Sequence, residues 1–254
     1  MTWDEMWALM GPATQETFQM VGVSAVFTVL LGLPLGVLLV LTDKGGLLAN
    51  RAVNKGIGFV VNLARSAPFI ILMIALGSFT RWLVGTSIGW QAATVPLTIG
   101  AIPFFARLVE TSVREVDRGL VEAVQSMGGS TWTIVRKTLL PEALPGIVAS
   151  ITTTVITLIG YSAMAGVVGG GGLGTLAVNY GYQRFETAFM WVIVAELVLI
   201  VTAVQLIGDF AVRRLAHRGR TGGRTRLFGR GPAGPAAPAD PDAPAERDQD
   251  LVAS

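Results

Sequence analysis

The chain has no cysteine and a single histidine in 254 residues. Without cysteine there is no disulfide framework, no thiolate nucleophile and no cysteine-based metal site. The histidine, His217, sits in a basic stretch near the C-terminal end. That leaves no histidine in any apolar run to ligate a metal or to serve a catalytic serine. Charge is scarce as well. Only 14% of residues are charged, against about a quarter in a typical soluble domain. The first 15 residues carry Asp4 and Glu5 but no Lys or Arg. A secretory signal needs a positive n-region, so the first apolar run is read as a retained helix.

What is present is apolar: 52% of residues are hydrophobic. Glu16 to Asp43 encloses 26 uncharged residues, Arg81 to Arg107 encloses 25, and Glu142 to Arg184 encloses 41. About 20 apolar residues in a helix cross a bilayer core. The runs predict five membrane spans, over about 18–41, 57–80, 89–109, 143–167 and 187–210. The second is interrupted by Arg65, whose guanidinium can snorkel toward headgroups. The 41-residue run is broken by Gly169 to Gly172, and its remainder, Leu173 to Gln183, is too short to cross.

Basic residues alternate between the connecting segments. Loop 42–56 has Lys44, Arg51 and Lys55, and loop 107–142 has Arg107, Arg114, Arg118, Arg136 and Lys137. The C-terminal tail holds Arg213, Arg214, Arg218, Arg220, Arg224, Arg226, Arg230 and Arg247. The N-terminus has none, loop 81–88 only Arg81, and loop 168–186 only Arg184. The positive-inside rule puts the N-terminus outside and the C-terminus in the cytoplasm, as an odd number of spans requires. Gly32 and Pro34, Pro68, Pro96 and Pro103 interrupt spans, either for bundle packing or to shape a pathway. The expected organisation is an external segment 1–17, a transmembrane domain 18–215 and a disordered cytoplasmic tail 216–254. The tail has too few apolar residues to offset ordering entropy, and its arginines lie where they can touch anionic lipid.

The segment 107–142 is polar and helical by pattern. Val109, Val113, Val116, Leu120, Val124 and Met127 recur at intervals of three and four. Glu110, Arg114, Asp117, Arg118 and Glu122 lie mostly off that stripe. Gly128-Gly129 ends the helix. Ser130 or Thr131 caps a second helix through Lys137, and Pro141 either stops it or opens the next one. The expected product is a helix–glycine turn–helix hairpin between two spans.

Glu122-Ala123-Val124, Gly128 and Leu140-Pro141 resemble the EAA loop of ABC importer permeases: Glu-Ala-Ala, three residues, Gly, nine residues, Ile, one residue, Leu-Pro. Val124 and Thr138 depart from the pattern. The resemblance extends over most of residues 17–215. It is carried by Arg65-Ser66-Ala67-Pro68-Phe69-Ile70, Val84-Gly85-Thr86-Ser87-Ile88-Gly89, Val135-Arg136-Lys137, Leu139-Leu140-Pro141-Glu142-Ala143-Leu144-Pro145-Gly146 and Gly160-Tyr161-Ser162-Ala163-Met164. These stretches look like the D/L-methionine importer permease family. The resemblance implies an all-α integral membrane protein of the type I ABC importer permease fold, placed in the plasma or inner membrane. It implies a homodimer of permease subunits, two ATP-binding subunits that hold ATP and Mg, and an extracytoplasmic substrate-binding protein. This chain then carries no ATPase site, no cofactor, no metal and no catalytic residue, and binds no nucleic acid. Glu122, Ala123, Gly128, Leu140 and Pro141 would couple it to the ATPase. Tyr161, Ser162 and Met164, beside small residues in the fourth span, are candidates for the substrate pathway.

Other signals weigh less. Gly169, Gly171 and Gly174 match G-x-G-x-x-G, yet a membrane helix precedes them where a dinucleotide fold needs a strand. A compact external loop near the binding-protein dock fits better. Glu196 lies in the middle of the fifth span as a proton-coupling site, a dimer-interface hydrogen bond or a protonated residue in the bundle, a structural role being preferred. The alternatives in function are the same machine for another amino acid or a quaternary-amine osmolyte, an ion-coupled secondary transporter, and an intramembrane enzyme. One buried carboxylate and no inverted repeat argue against the secondary transporter. The lack of paired carboxylates argues against the enzyme.

Overall fold

The computed structural model describes residues 3–219, and the regular elements among these are all helices, with no strand among the described residues. Expectations for the tail beyond 219 fall outside the described residues. The helices are α1 Trp3–Leu41, α2 Arg51–Ser66, α3 Phe69–Ala75, α4 Gly77–Val84, α5 Trp90–Arg114, α6 Arg118–Ser126, α7 Thr131–Ile134, α8 Leu140–Ala165, α9 Gly172–Leu176 and α10 Thr187–Gly219. Four carry windows long and apolar enough to cross a membrane: α1, α5, the run through α7 and α8, and α10. The bent pair α2 and α3 passes the same test together, which brings the candidate crossings to five when the pair is taken as one span.

α1 starts 15 residues before the expected span. It is 39 residues long, or about 58 Å at 1.5 Å per residue, well beyond the thickness of a bilayer core. Pro12 and Pro34 lie inside it without ending it, as membrane helices allow. Gly32 and Gly36 do not break it either; they let α5 approach. A Cβ on Gly36 would lie 2.5 Å from the Ala106 carbonyl oxygen and 2.7 Å from Val109 Cβ.

The second expected span, 57–80, is not one helix. α2 and α3 meet at 99°. Pro68 has no N–H to donate, and its ring drives Ala67 out of the helical region, to φ −75° and ψ 127°. α2 itself starts where Asn50 accepts hydrogen bonds from the N–H groups of Ala52 and Val53.

The core has three parts. Toward loop 107–142, Phe105, Val109, Val113, Ile134, Val135 and Leu139 pack with Val37 and Leu41 of α1. In the middle, Met20, Phe69, Met73, Leu97 and Leu158 come together. At the other end, Met6 and Met10 meet Leu173, Phe189 and Ile193. The outer face of α10 shows Trp191, Val198, Leu199, Leu206, Ile207 and Phe210. A contiguous apolar face of this kind suits hydrocarbon rather than water.

Candidate functional site

The hairpin forms at the glycine turn, but its first arm is not continuous. α5 ends at Arg114, and Asp117 starts a separate helix, accepting a hydrogen bond from the Gly119 N–H at 2.8 Å. The apolar stripe is therefore cut. Val116 stays in the core, whereas Leu120 and Met127 point outward. A short polar side chain that satisfies free N–H groups favours a helix start over helix continuation.

α6 closes on Gly128, which has φ 79°. The Gly129 N–H donates to the Val124 carbonyl and the Gly128 N–H to the Gln125 carbonyl, each at 2.9 Å. This pair of hydrogen bonds caps the last carbonyls of a helix and needs a left-handed residue at the first position after it. Ser130 then caps α7, accepting from the Thr133 N–H at 3.3 Å. Pro141 opens α8 rather than stopping α7. The two are joined through a wider turn of helix at Val135–Leu139, which directs Val135 and Leu139 into the core.

No residue of α6 is buried. Glu122, Ala123 and Gly128 lie exposed together at the tip, while Leu140 and Pro141 sit at the root of α8. Met127 is 77% and Trp132 69% exposed, the largest apolar side chains of the tip. Glu122 also lines a cleft of about 320 Å³ with Asp43, Lys44, Arg114, Arg118 and Gln125.

Under the hairpin lies a cluster that the sequence does not announce. Glu110, which falls off the apolar stripe and so reads as a solvated residue, is 4% exposed. Its carboxylate accepts hydrogen bonds from Arg107 and, at 2.7 Å, from Arg114. Arg114 also pairs with Asp43, at 2.6 Å. Arg107 donates to the Asn62 side-chain oxygen on α2, at 2.9 Å. The Lys44 N–H and the Arg114 guanidinium hold the Asp43 carboxyl below its ordinary pKa. Spacing of three and four along 107, 110 and 114 is the one local hint of these pairs. Nothing in the sequence points to Asp43 or Asn62.

At the α2–α3 bend is a cavity of about 130 Å³ lined by Arg65, Phe69, Leu72, Gly100, Phe104 and Tyr161, among others. The Phe69 and Tyr161 rings stack with centroids 4.3 Å apart and planes 3° from parallel. Ser162 is buried, and its hydroxyl donates to the Ile159 carbonyl. Met164 is exposed and lies outside this cavity.

The glycine run after α8 is tied to α1. The Gly172 N–H donates to Glu16 Oε2 at 2.7 Å and the Leu173 N–H to Thr17 Oγ1 at 3.0 Å. The chain's own carboxylate thus takes the place that a phosphate would need. Glu196 joins α10 to α1 by accepting a hydrogen bond from the Thr14 hydroxyl on Oε1, while its Oε2 is buried without a partner among the described residues.

The comparisons with known proteins agree with this architecture. The profile of the family described as binding-protein-dependent transport system inner membrane component matches residues 31–221. A probable D-methionine transport system permease protein of Vibrio cholerae is 53% identical over 206 residues, covering 81% of this chain and 92% of the relative. A methionine import system permease protein of Bacillus subtilis is 49% identical over 181 residues, 71% of this chain and 82% of the relative. Among solved structures, a chain of the MetNI methionine ABC transporter in an inward-facing conformation superposes with a TM-score of 0.83 at 48% identity. It covers 85% of this chain and 99% of that one. A chain from an amino acid ABC transporter shares the fold, with a TM-score of 0.69 at 17% identity, over 83% of this chain and 96% of that one.

Proposed function

The chain belongs to the family of binding-protein-dependent transport system inner membrane components, and we propose that it is the permease subunit of an ATP-driven importer of methionine. It is an integral, multi-pass membrane protein. In this reading the N-terminus faces outward, the C-terminus faces the cytoplasm, and residues 18–215 form the transport domain. Two copies enclose the path, an extracytoplasmic binding protein delivers methionine, and two partner ATPase subunits hold ATP and Mg.

The observation that carries the reading is the α6 hairpin. It is a short helix with no buried residue, seated on the core through Val121 and Val124 and closed by the Gly128 cap, with Met127 and Trp132 exposed at its tip. A subunit without a nucleotide site must receive work through contact, and a rigid helix gripped by a moving partner passes on rigid-body motion. Glu122, Ala123 and Gly128 form the gripped surface; Leu140 and Pro141 anchor its return into α8. The high identity to methionine permeases over most of both chains supports the substrate. Tyr161 lines the path, with Ser162 and Met164 beside it on α8.

Because the chain has no cysteine, Ser126→Cys places a unique thiol on α6. In the assembled complex this thiol should crosslink to an ATPase subunit. It should also react with an impermeant maleimide only from the cytoplasmic face. Reaction from outside would reverse the orientation, and failure to crosslink at any α6 position would remove the coupling role.

A further inference from the structure

Arg65 is the one cation in the described residues that sits beside the bend cavity with neither an ion pair nor a hydrogen bond. Nearby, Arg107 and Arg114 are both held by Glu110, and their outer nitrogens reach Asn62 and Asp43. Arg65 has nothing comparable. It belongs to the last turn of α2, two residues before Ala67 turns the chain.

The depth of this position matters. Gly100, on the cavity wall, is ten residues from the start of α5 at Trp90 and fourteen from its end at Arg114. At 1.5 Å per residue that is about 15 Å from one end and about 21 Å from the other. Tyr161 is 21 residues along α8 from Leu140, or about 31 Å. Arg65 itself stands one turn beyond Asn62, which Arg107 reaches from the loop end of α5, so its guanidinium lies between that end and the cavity wall at Gly100. A cation on a membrane crossing that pairs with nothing on its own chain can take a partner that arrives from elsewhere. Arg65, Ser66, Ala67 and Pro68 are all exposed on this chain, so the bend opens away from the chain's own core.

The walls define the chemistry of that partner. A planar guanidinium binds a carboxylate through two parallel N–H···O bonds. The stacked rings of Phe69 and Tyr161 supply a flat apolar wall, and thioether sulfur packs favourably on aromatic rings. The Tyr161 hydroxyl has no hydrogen-bond partner among the described residues, so it is free to donate. At Gly100 a Cβ would stand 3.5 Å from Leu72 and Phe69, so the absence of a side chain keeps the cavity open. None of the lining residues is acidic.

We propose that the α2–α3 bend cavity is a half-site for the transported amino acid, in which Arg65 binds the α-carboxylate and the Phe69–Tyr161 stack takes the side chain. The proposal rests on the importer reading above and adds to it the group by which the membrane path recognises its cargo. With no carboxylate in the half-site, the ammonium of the cargo is left to water or to the second copy. The α-carboxylate is therefore the feature that this chain reads.

The test uses the assembled complex, with Ala64→Cys at the cavity wall as the chain's only thiol and labelling by N-ethylmaleimide as the readout. Ala67→Cys, on the exposed rim of the same cavity, is the second reporter. Methionine should slow labelling about tenfold, the factor that corresponds to 1.4 kcal/mol. The carboxylate-free analogue 3-(methylthio)propylamine should not. Adding Arg65→Gln should abolish protection, and Arg65→Lys should keep part of it. Equal protection by the amine, or protection that survives Arg65→Gln, overturns the site. Uptake by the parent complex is run alongside with and without ATP. ATP-driven uptake without protection refutes only the half-site, whereas uptake indifferent to ATP refutes the importer reading beneath it.

Discussion

The buried carboxylate of Glu110 holds Arg107 and Arg114 at the same time, one on each oxygen. Arg114 extends the link to Asp43 after α1, and Arg107 extends it to Asn62 on α2. Two helices, α5 and α2, and the segment that follows α1 are thereby strapped together beneath the break at which α5 gives way to α6. α2 leads from this cluster to the bend.

Glu110→Gln should destabilise the protein by about 1–3 kcal/mol, because it leaves two guanidinium groups with a weaker acceptor in a buried setting. Asp43→Asn should cost less than about 1 kcal/mol, since that pair is partly exposed and screened. Thermal unfolding of the two variants in detergent, compared at one pH, measures both. Equal losses would mean that the strap is not centred on Glu110.

The Asp43 pair has a predictable pH dependence. Its folded pKa lies below the unfolded value, so its contribution is full above the unfolded pKa and disappears as pH falls through the folded one. The unfolded value is about 3.9. The stability gap between the parent and Asp43→Asn should hold steady from neutral pH down to about 5 and close below about 4. A gap that widens on acidification would contradict the assignment.

Gly128 occupies left-handed backbone, so Gly128→Ala should cost about 1–2 kcal/mol, read as a fall in melting temperature. Gly128→Glu adds bulk and charge at the gripped tip. It should abolish uptake while leaving the protein in the membrane fraction. Normal uptake by this variant would sink the coupling role of the hairpin.

At Gly36 the expected defect lies in packing. A side chain there collides with the α5 backbone, so Gly36→Leu should separate α1 from α5 and cost about 1–3 kcal/mol through overpacking. Gly22 has open space around its Cβ position, and Gly22→Leu serves as the control that should melt near the parent temperature.

Much of this is legible in the sequence. Long uncharged runs mark α1, α5 and α8, and a long apolar run interrupted by Glu196 marks α10, because the cost of burying charge in hydrocarbon is large enough to override local detail. Gly128 and Ser130 are readable because positive φ and helix capping are local demands on single residues. The hidden features depend on tertiary context. Pro68 is recognisable as a breaker, but whether a proline kinks a span slightly or turns it by 99° depends on what packs around it. Asp117 reads as a polar residue on a continuous helix, while in the fold it caps a new one. Glu110 looks solvated because the residues that complete its cluster, Asp43 and Asn62, come from distant segments. At the bend, the facing of Tyr161 onto Phe69 joins two segments far apart in the chain, which no periodicity encodes.

The most direct test of the central claim is uptake of labelled methionine in cells that lack their own importers. This chain is expressed with its ATPase and binding protein, and the same cells carrying a hydrolysis-dead ATPase are the comparison. The account predicts uptake that needs the live ATPase and is competed by unlabelled methionine. Methionine uptake that proceeds equally with the dead ATPase would contradict it.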